Sequence, residues 1–268
     1  MNILDAHVKD IKELGFTVLR NAVSKDEVSE ILNFIRNFEY APDELMSIKK
    51  FGMRLNNYAD NVYNVVTKRP DYLNYFIEGL VGDVLRHFLN DEYYKSIPAE
   101  LPNYIIRSML ARSSKEEMPY HIDSFIPYGG DYVSVMQASI FLEKSDRLRG
   151  CTTVIPRSHL SAKYAPQEQA APEYVECEAG DVAIWDSRLW HATARNQTDN
   201  TRWALIGTFC RWYIKQGFDY PKAISDEIFK NLSVQSKIVL GYASTVPFNE
   251  FEKTEIKGSL EQLNLIKK

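Results

Sequence analysis

Residues 132–142, Tyr-Val-Ser-Val-Met-Gln-Ala-Ser-Ile-Phe-Leu, and residues 203–213, Trp-Ala-Leu-Ile-Gly-Thr-Phe-Cys-Arg-Trp-Tyr, decide how this chain folds. Both runs are rich in β-branched and aromatic residues, and turn-forming stretches flank them, Gly-Gly-Asp at 129–131 and Asn-Gln-Thr-Asp-Asn at 196–200. From about residue 104 the apolar spacing changes from a helical period to alternation. Residues 103–111, 152–155, 174–178 and 182–185 read as further strands, broken by Gly, Pro, Ser and Asp. A series of short strands with potential ligands scattered among them predicts a mainly β fold with flanking helices, built on a double-stranded β-helix, the jelly-roll or cupin-like core.

Working outward, residues 4–14 carry apolar side chains at helical spacing and stop at Gly15, residues 16–20 read as a short strand, and Ser24 with Glu27 has capping-box spacing ahead of a helix to about Phe38. A single helix is expected over 70–89, with Phe76, Leu80, Val84, Leu85 and Phe88 as its buried stripe. His7 and His87 fall on these helices and read as structural. Residues 224–232 and 234–240 look helical, the second capped by Ser233, and the polar tail 245–268 is expected either to lie across the barrel or to be partly mobile. With 268 residues and no repeat or linker, one domain is expected. It would have a helical part at about 1–100, a β-helix core at about 101–215 and a helical extension at about 221–268.

A formal net charge of −4 and the lack of a dense Lys/Arg run give no basis for nucleic-acid or membrane-surface binding. No stretch reaches the length of a bilayer-spanning helix, and the start Met-Asn-Ile-Leu-Asp-Ala-His lacks the pattern of a signal peptide. Cys151, Cys177 and Cys210 are too dispersed for a disulfide framework or zinc ribbon, so a cytoplasmic location is expected. Nothing in the residues specifies an oligomeric state.

The chemistry centres on His121-Ile122-Asp123, answered by His191 and then Arg202. In an extended strand, side chains two apart share a face, so His121 and Asp123 are expected to project together. Two imidazoles and a carboxylate form the facial triad that suits non-haem Fe(II) while leaving coordination positions open. Arg202 offers a permanently charged fork able to take a carboxylate with two hydrogen bonds.

Three further blocks accompany the triad: Gly-Cys-Thr-Thr-Val-Ile-Pro-Arg-Ser-His at 150–159, Ala-Gly-Asp-Val-Ala-Ile-Trp-Asp at 179–186, and Trp-His-Ala-Thr-Ala-Arg-Asn-Gln-Thr-Asp-Asn-Thr-Arg at 190–202. In order and spacing they resemble the Fe(II)/2-oxoglutarate oxygenases of the phytanoyl-CoA dioxygenase family. The resemblance runs from about residue 10 to 245 and is strongest over 117–213. It implies that His121, Asp123 and His191 hold Fe(2+), that Arg202 grips the far carboxylate of 2-oxoglutarate with help from Thr193, and that O2 and a small-molecule substrate complete the reaction. Arg157 departs from the family, which usually has Gly there, a change expected to alter the turn before Ser158 and His159 while leaving the metal and co-substrate positions untouched. Related halogenases have Ala or Gly where this chain has Asp123, so the resemblance implies delivery of oxygen rather than halide.

Gln137, polar within an apolar strand, is expected either to contact co-substrate or substrate or to bond the barrel backbone. Phe125, Tyr128 and Arg188 are candidate substrate residues, and Trp185 and Trp190 candidate pocket walls. Arg157 and Arg195 read as solvated charges, and the resemblance gives His159 no ligand role. The expected function is hydroxylation of an unactivated C–H bond of a metabolite of a biosynthetic pathway, with desaturation, ring formation and epimerisation sharing the same oxidising step. Two readings stand beside it: a non-oxidative metal-dependent cupin-like enzyme, and a catalytically silent ligand-binding barrel.

Overall fold

A computed structural model of the chain describes residues 2–50, 60–95, 97–124, 126–163, 171–246 and 249–251. The described strands are β1 (Phe16–Leu19), β2 (Asn61–Tyr63), β3 (Tyr104–Arg112), β4 (Met118–His121), β5 (Val135–Phe141), β6 (Thr152–Val154), β7 (Glu173–Val175), β8 (Val182–Asp186), β9 (His191–Thr193) and β10 (Ala204–Arg211). They form two sheets that face each other, a larger one in the order β1-β8-β5-β10-β3-β2 and a smaller one in the order β4-β9-β6-β7. Every pairing is antiparallel, as a jelly roll requires.

β5 explains the layering. All seven of its residues are buried. Met136, Ala138 and Ile140 join the main apolar core beneath the helices. Gln137, Ser139 and Phe141 alternate to the opposite face and line a cavity on the side of the smaller sheet. The polar residues inside an apolar run are therefore the cavity-facing half of a strand covered on both sides.

The helices close the other face of the larger sheet. α1 (Ile3–Leu14) starts with a reciprocal cap between Asn2 and Asp5 and ends at Gly15 in the left-handed conformation, φ 95°. α2 (Lys25–Arg36) starts with the Ser24–Glu27 capping box that the sequence signals. Val8, Ile11, Val28, Ile31 and Ile35 enter the same core as Phe76, Leu85 and Ile106. A fully buried side chain of this kind contributes roughly 1.5–3 kcal/mol. α3 (Pro42–Lys50) follows α2.

The single helix expected over 70–89 is three pieces. α4 (Val65–Lys68) is followed by a 3-10 turn (Pro70–Leu73), then α5 (Asn74–Ile77) and α6 (Gly79–Leu89). Glu78 is extended (φ −108°, ψ 165°), and Gly79 has φ 57°. α6 then packs so tightly on the end of α5 that a Cβ on Gly82 would lie 2.2 Å from the Ile77 carbonyl oxygen. The apolar period runs through the break because both helices bury their stripes in one core. Leu80 of the expected stripe is only half-buried.

After β10, α7 (Tyr220–Ala223), α8 (Asp226–Asn231) and α9 (Val234–Val239) cover one end, α8 and α9 capped by Ser225 and Ser233. Of the expected tail across the barrel, residues 247–248 and 252–268 lie outside the described residues. Among the described residues no helix is long and apolar enough to cross a membrane.

Candidate metal centre

β4 ends on His121 and β9 begins on His191, and the two face each other across the strand pair. Their rings lie 4.3 Å apart, inclined at 49°. Asp123 is not on the strand, as strand alternation had suggested. It sits in the turn beyond β4, where the backbone N–H groups of Asp123 and Ser124 both donate to the Ser187 carbonyl, at 2.8 and 3.0 Å. Ser187 N–H in turn donates to the Val135 carbonyl of β5, so the turn is tied to the larger sheet.

The resulting donors converge. Asp123 Oδ2 lies 3.2 Å from His191 Nε2, and Oδ1 lies 3.6 Å from His121 Nε2. One donor atom from each of the three residues lies within 4.8 Å of the others. Two bonds of about 2.1 Å at a right angle separate donor atoms by about 3 Å, so this set could hold a divalent ion with little movement. Both imidazoles are anchored through their other nitrogen: His121 Nδ1 lies 2.9 Å from the Pro119 carbonyl and His191 Nδ1 lies 3.0 Å from the Leu189 carbonyl. Donation from Nδ1 leaves each Nε2 lone pair facing the centre.

Gln137 Nε2 donates to Asp123 Oδ2, which fixes the carboxylate from the floor of the cavity. Burial alone would favour the protonated acid. The hydrogen bond and charge of His191, with His121 and Gln137, outweigh it and hold Asp123 below the usual carboxylate range. Burial, then the neighbouring His191, push His121 down, so it stays neutral. His191 goes the other way, since its bond to Asp123 overcomes burial.

The centre opens onto a cavity of about 310 Å³ between the sheets, walled by alternate residues of β10, β3 and β5 and by Thr193 and Thr152 from the smaller sheet. Thr193 shares the face of His191, as expected. Arg202 reaches the cavity from just before β10, past a turn in which Asn196 bonds Thr198 and Asn200. It is 9% exposed, and neither its Nε nor its Nη2 has a hydrogen-bond partner. Burial, and then the nearby Arg112, lower its pKa to about 10.

Arg112, which the sequence reading missed, also lines the cavity. Its Nε is buried and unpartnered, and Nη1 meets only the sulfur of Met118 at 3.4 Å. Ser139 Oγ adds a fourth unpartnered polar atom. Three buried guanidinium nitrogens and a hydroxyl without hydrogen-bond partners, lining one cavity, are a site suited to an anion. Arg112 and Ser139 were readable only as the cavity-side half of their strands, in step with Leu110 and Gln137.

Other expected residues lie elsewhere. Trp185 walls the cavity, its ring 5.4 Å from that of His191. Trp190 is buried and is not among the residues lining this cavity. Arg188, a candidate for recognising a substrate anion, is 3% exposed and spent on Asp186, with Nη2–Oδ2 at 2.6 Å, and on the Gly130 carbonyl at 2.7 Å. The Tyr128 ring lies 4.6 Å from the Arg188 guanidinium, outside the metal cavity. Phe125 lies outside the described residues. His159 is buried against α1, its Nε2 3.2 Å from the Lys12 carbonyl, away from the centre. Arg157 and Arg195 are exposed. Arg157 stands in the left-handed conformation, φ 67°, at the entry to the turn carrying Ser158 and His159.

Three relatives place the chain. An uncharacterized protein of Mycobacterium tuberculosis, Rv1501, is 30% identical over 120 residues, covering 44% of this chain and 44% of its own. The chain thus matches less than half the length of that relative. Dioxygenase af480 of Aspergillus fumigatus is 25% identical over 250 residues, covering 90% of this chain and 77% of its own. Among solved structures, the epimerase SnoN in complex with Fe3+, alpha ketoglutarate and nogalamycin RO superposes with a TM-score of 0.56 at 14% identity, covering 78% of this chain and 83% of its own. The profile of one family matches residues 11–204, most of the chain including the centre just described: this protein belongs to the phytanoyl-CoA dioxygenase (PhyH) family.

Proposed function

We propose that the protein is an Fe(II)- and 2-oxoglutarate-dependent oxygenase that hydroxylates an unactivated C–H bond of a small-molecule metabolite, in a biosynthetic sequence of reactions. One observation carries the reading. A single cavity is lined both by a His-Asp-His donor set and by the buried guanidinium of Arg202, two of whose nitrogens have no hydrogen-bond partner. The donor set suits a divalent iron, and the orphaned nitrogens of Arg202 and Arg112 suit a dicarboxylate, so the residues present fit both groups. The SnoN complex, which holds Fe3+ and alpha ketoglutarate on a similar fold, supports the same pairing. The free, buried Cys151, Cys177 and Cys210 support work in a reducing compartment such as the cytoplasm.

Bound together, iron and 2-oxoglutarate supply the oxidising power, with O2 as the oxidant. The chain's own part is positioning. His121, His191 and Asp123 would hold the ion, the tautomers of the two imidazoles being set by the Pro119 and Leu189 carbonyls. Gln137 keeps the Asp123 carboxylate turned toward the centre. Arg202 and Arg112 would receive the far carboxylate of the co-substrate, while the Trp185 ring packs beside His191 and Phe141 adds apolar wall to the cavity.

Epimerisation is the reading to separate from hydroxylation, because SnoN is an epimerase. Anaerobic calorimetry on Fe(II)-loaded protein should show 2-oxoglutarate binding that Asp123→Ala abolishes by removing the metal. Turnover under O2 should release succinate and yield a product one oxygen atom heavier than its substrate. A product of unchanged mass with one inverted centre would replace hydroxylation by epimerisation. Binding of 2-oxoglutarate without metal would refute the oxygenase reading.

A further inference from the structure

One turn touches two of the three metal donors. β8 ends on Asp186 and β9 begins on His191, and between them Leu189 N–H donates to the Asp186 carbonyl at 2.8 Å, closing a four-residue turn. Asp suits the first position of such a turn because its carboxylate can accept the N–H two residues on. It does so here, taking the Arg188 N–H on Oδ1 at 2.9 Å. That N–H and the Ser187 carbonyl belong to one trans peptide unit and point in opposite directions. Anchoring the N–H on Asp186 therefore aims the carbonyl the other way, at the N–H groups of Asp123 and Ser124 that donate to it. The Leu189 carbonyl of the same turn faces His191 Nδ1 at 3.0 Å. Asp123 and His191 thus both take their setting from residues 186–189.

The Arg188 side chain fixes the carboxylate on which this arrangement depends. Its Nε donates to Asp186 Oδ1 at 3.0 Å and its Nη2 to Oδ2 at 2.6 Å, a two-point grip that stops the carboxylate from turning. Nη1 goes on to the Gly130 carbonyl at 2.7 Å and the Tyr128 carbonyl at 3.3 Å, further along the chain from Asp123. Two consecutive residues of the turn therefore hold the chain on the far side of the metal centre, Ser187 at Asp123 and Ser124, Arg188 at Tyr128 and Gly130.

Asp186, Ser187, Arg188 and Leu189 are each at most 3% exposed. An ion pair this deep adds little net stability over apolar side chains of the same volume. What it supplies is direction. We propose that Asp186 and Arg188 are positioning residues of the metal centre: the pair sets the Ser187 carbonyl, and through it the pose in which Asp123 meets the ion, without itself touching ion or substrate. The inference rests on the reading of His121, Asp123 and His191 as the metal ligands.

Zinc affinity measured by chelator competition tests it, with thermal melts and the visible spectrum of the Co(II)-loaded protein alongside. Arg188→Lys keeps a cation for Asp186, but a single nitrogen cannot grip the carboxylate at two points and reach both carbonyls. The double variant Asp186→Asn with Arg188→Met leaves no buried charge and keeps Oδ1 as acceptor for the backbone N–H at 188, so it should fold even where the lysine variant does not. Each should bind zinc roughly tenfold more weakly than the unmodified protein, the usual cost of losing an outer partner of a metal ligand. The Co(II) spectrum should change as well, because Asp123 no longer meets the ion in one pose. Phe76→Ala, on the other face of the larger sheet, is the control: its Tm should fall while its zinc affinity stays within about twofold. Variants that melt lower yet match the unmodified protein in zinc affinity and Co(II) spectrum would make the pair purely structural and overturn the inference. Failure of the unmodified protein to bind zinc or cobalt overturns the reading of the three ligands instead, so the two failures are distinguishable.

Discussion

Arg202 should destabilise the protein that it equips. Its guanidinium is buried with two nitrogens unpartnered and with Arg112 for a neighbour, and its pKa falls well below the ordinary arginine range, to about 10. At about 1.36 kcal/mol for each pH unit, holding that charge costs the folded state on the order of 3 kcal/mol. Because the folded pKa is the lower one, the penalty is complete below pH 10 and fades only as the proton is lost above it, so all of it is present at neutral pH. Arg202→Met removes the charge and keeps an unbranched apolar stem. After about half the gain is offset by lost packing of the arginine stem, the metal-loaded variant should be more stable by about 1–2 kcal/mol, or roughly 2–8 °C in Tm. The backbone bond from Arg202 N–H to Ser113 Oγ survives the change. Thermal melts followed by circular dichroism, with and without saturating 2-oxoglutarate, are the assay. The unmodified protein should gain stability from the co-substrate and the variant should not. A variant that melts below the unmodified protein, or that still responds to 2-oxoglutarate, would refute the account of Arg202 as an uncompensated charge awaiting an anion.

Metal affinity should rise with pH across the neutral range, by up to about tenfold per unit, because the Asp123 bond raises the pKa of His191 and the ion must displace that proton; equal affinities at pH 6 and 8 in chelator competition would contradict this. Arg157→Gly should raise stability by about 0.5–1 kcal/mol, since φ 67° strains any residue with a Cβ, and a lower Tm would mean that the Arg157 side chain does more than hold the turn. Phe76→Ala should cost about 3–5 kcal/mol in urea unfolding, because the ring is wholly buried against Phe209 of the central strand; a loss under 1 kcal/mol would show that the core closes around the gap.

The features legible in the sequence are those with a local signature. β5 and β10 announce themselves by long apolar runs, α1 and α2 by caps, and His121, Asp123, His191 and Arg202 by residue type and spacing. What stayed hidden depends on partners distant in the chain. β2, β4 and β9 are three or four residues long, too short for alternation to register. The break at Glu78–Gly79 leaves the apolar period intact. Arg188 reads like any surface cation until the turn that brings Asp186 against it is known. Arg112 sits nine residues before His121 with no motif around it, and only cross-strand register turns it into the cavity.

That register also sets an order of assembly. β10 lies between β5 and β3 in the larger sheet, yet it is the last of the ten described strands to emerge during synthesis. Until residues 204–211 leave the ribosome, β3 and β5 each present an unpaired edge, and the two halves of the sheet have nothing to join them. A nascent chain stalled after β9 already carries all three metal donors but exposes two long apolar strands, the kind of edge that recruits other chains. A pause or truncation just ahead of β10 should therefore favour aggregation over folding, and the interval between β9 and β10 is where a chaperone would have most to cover.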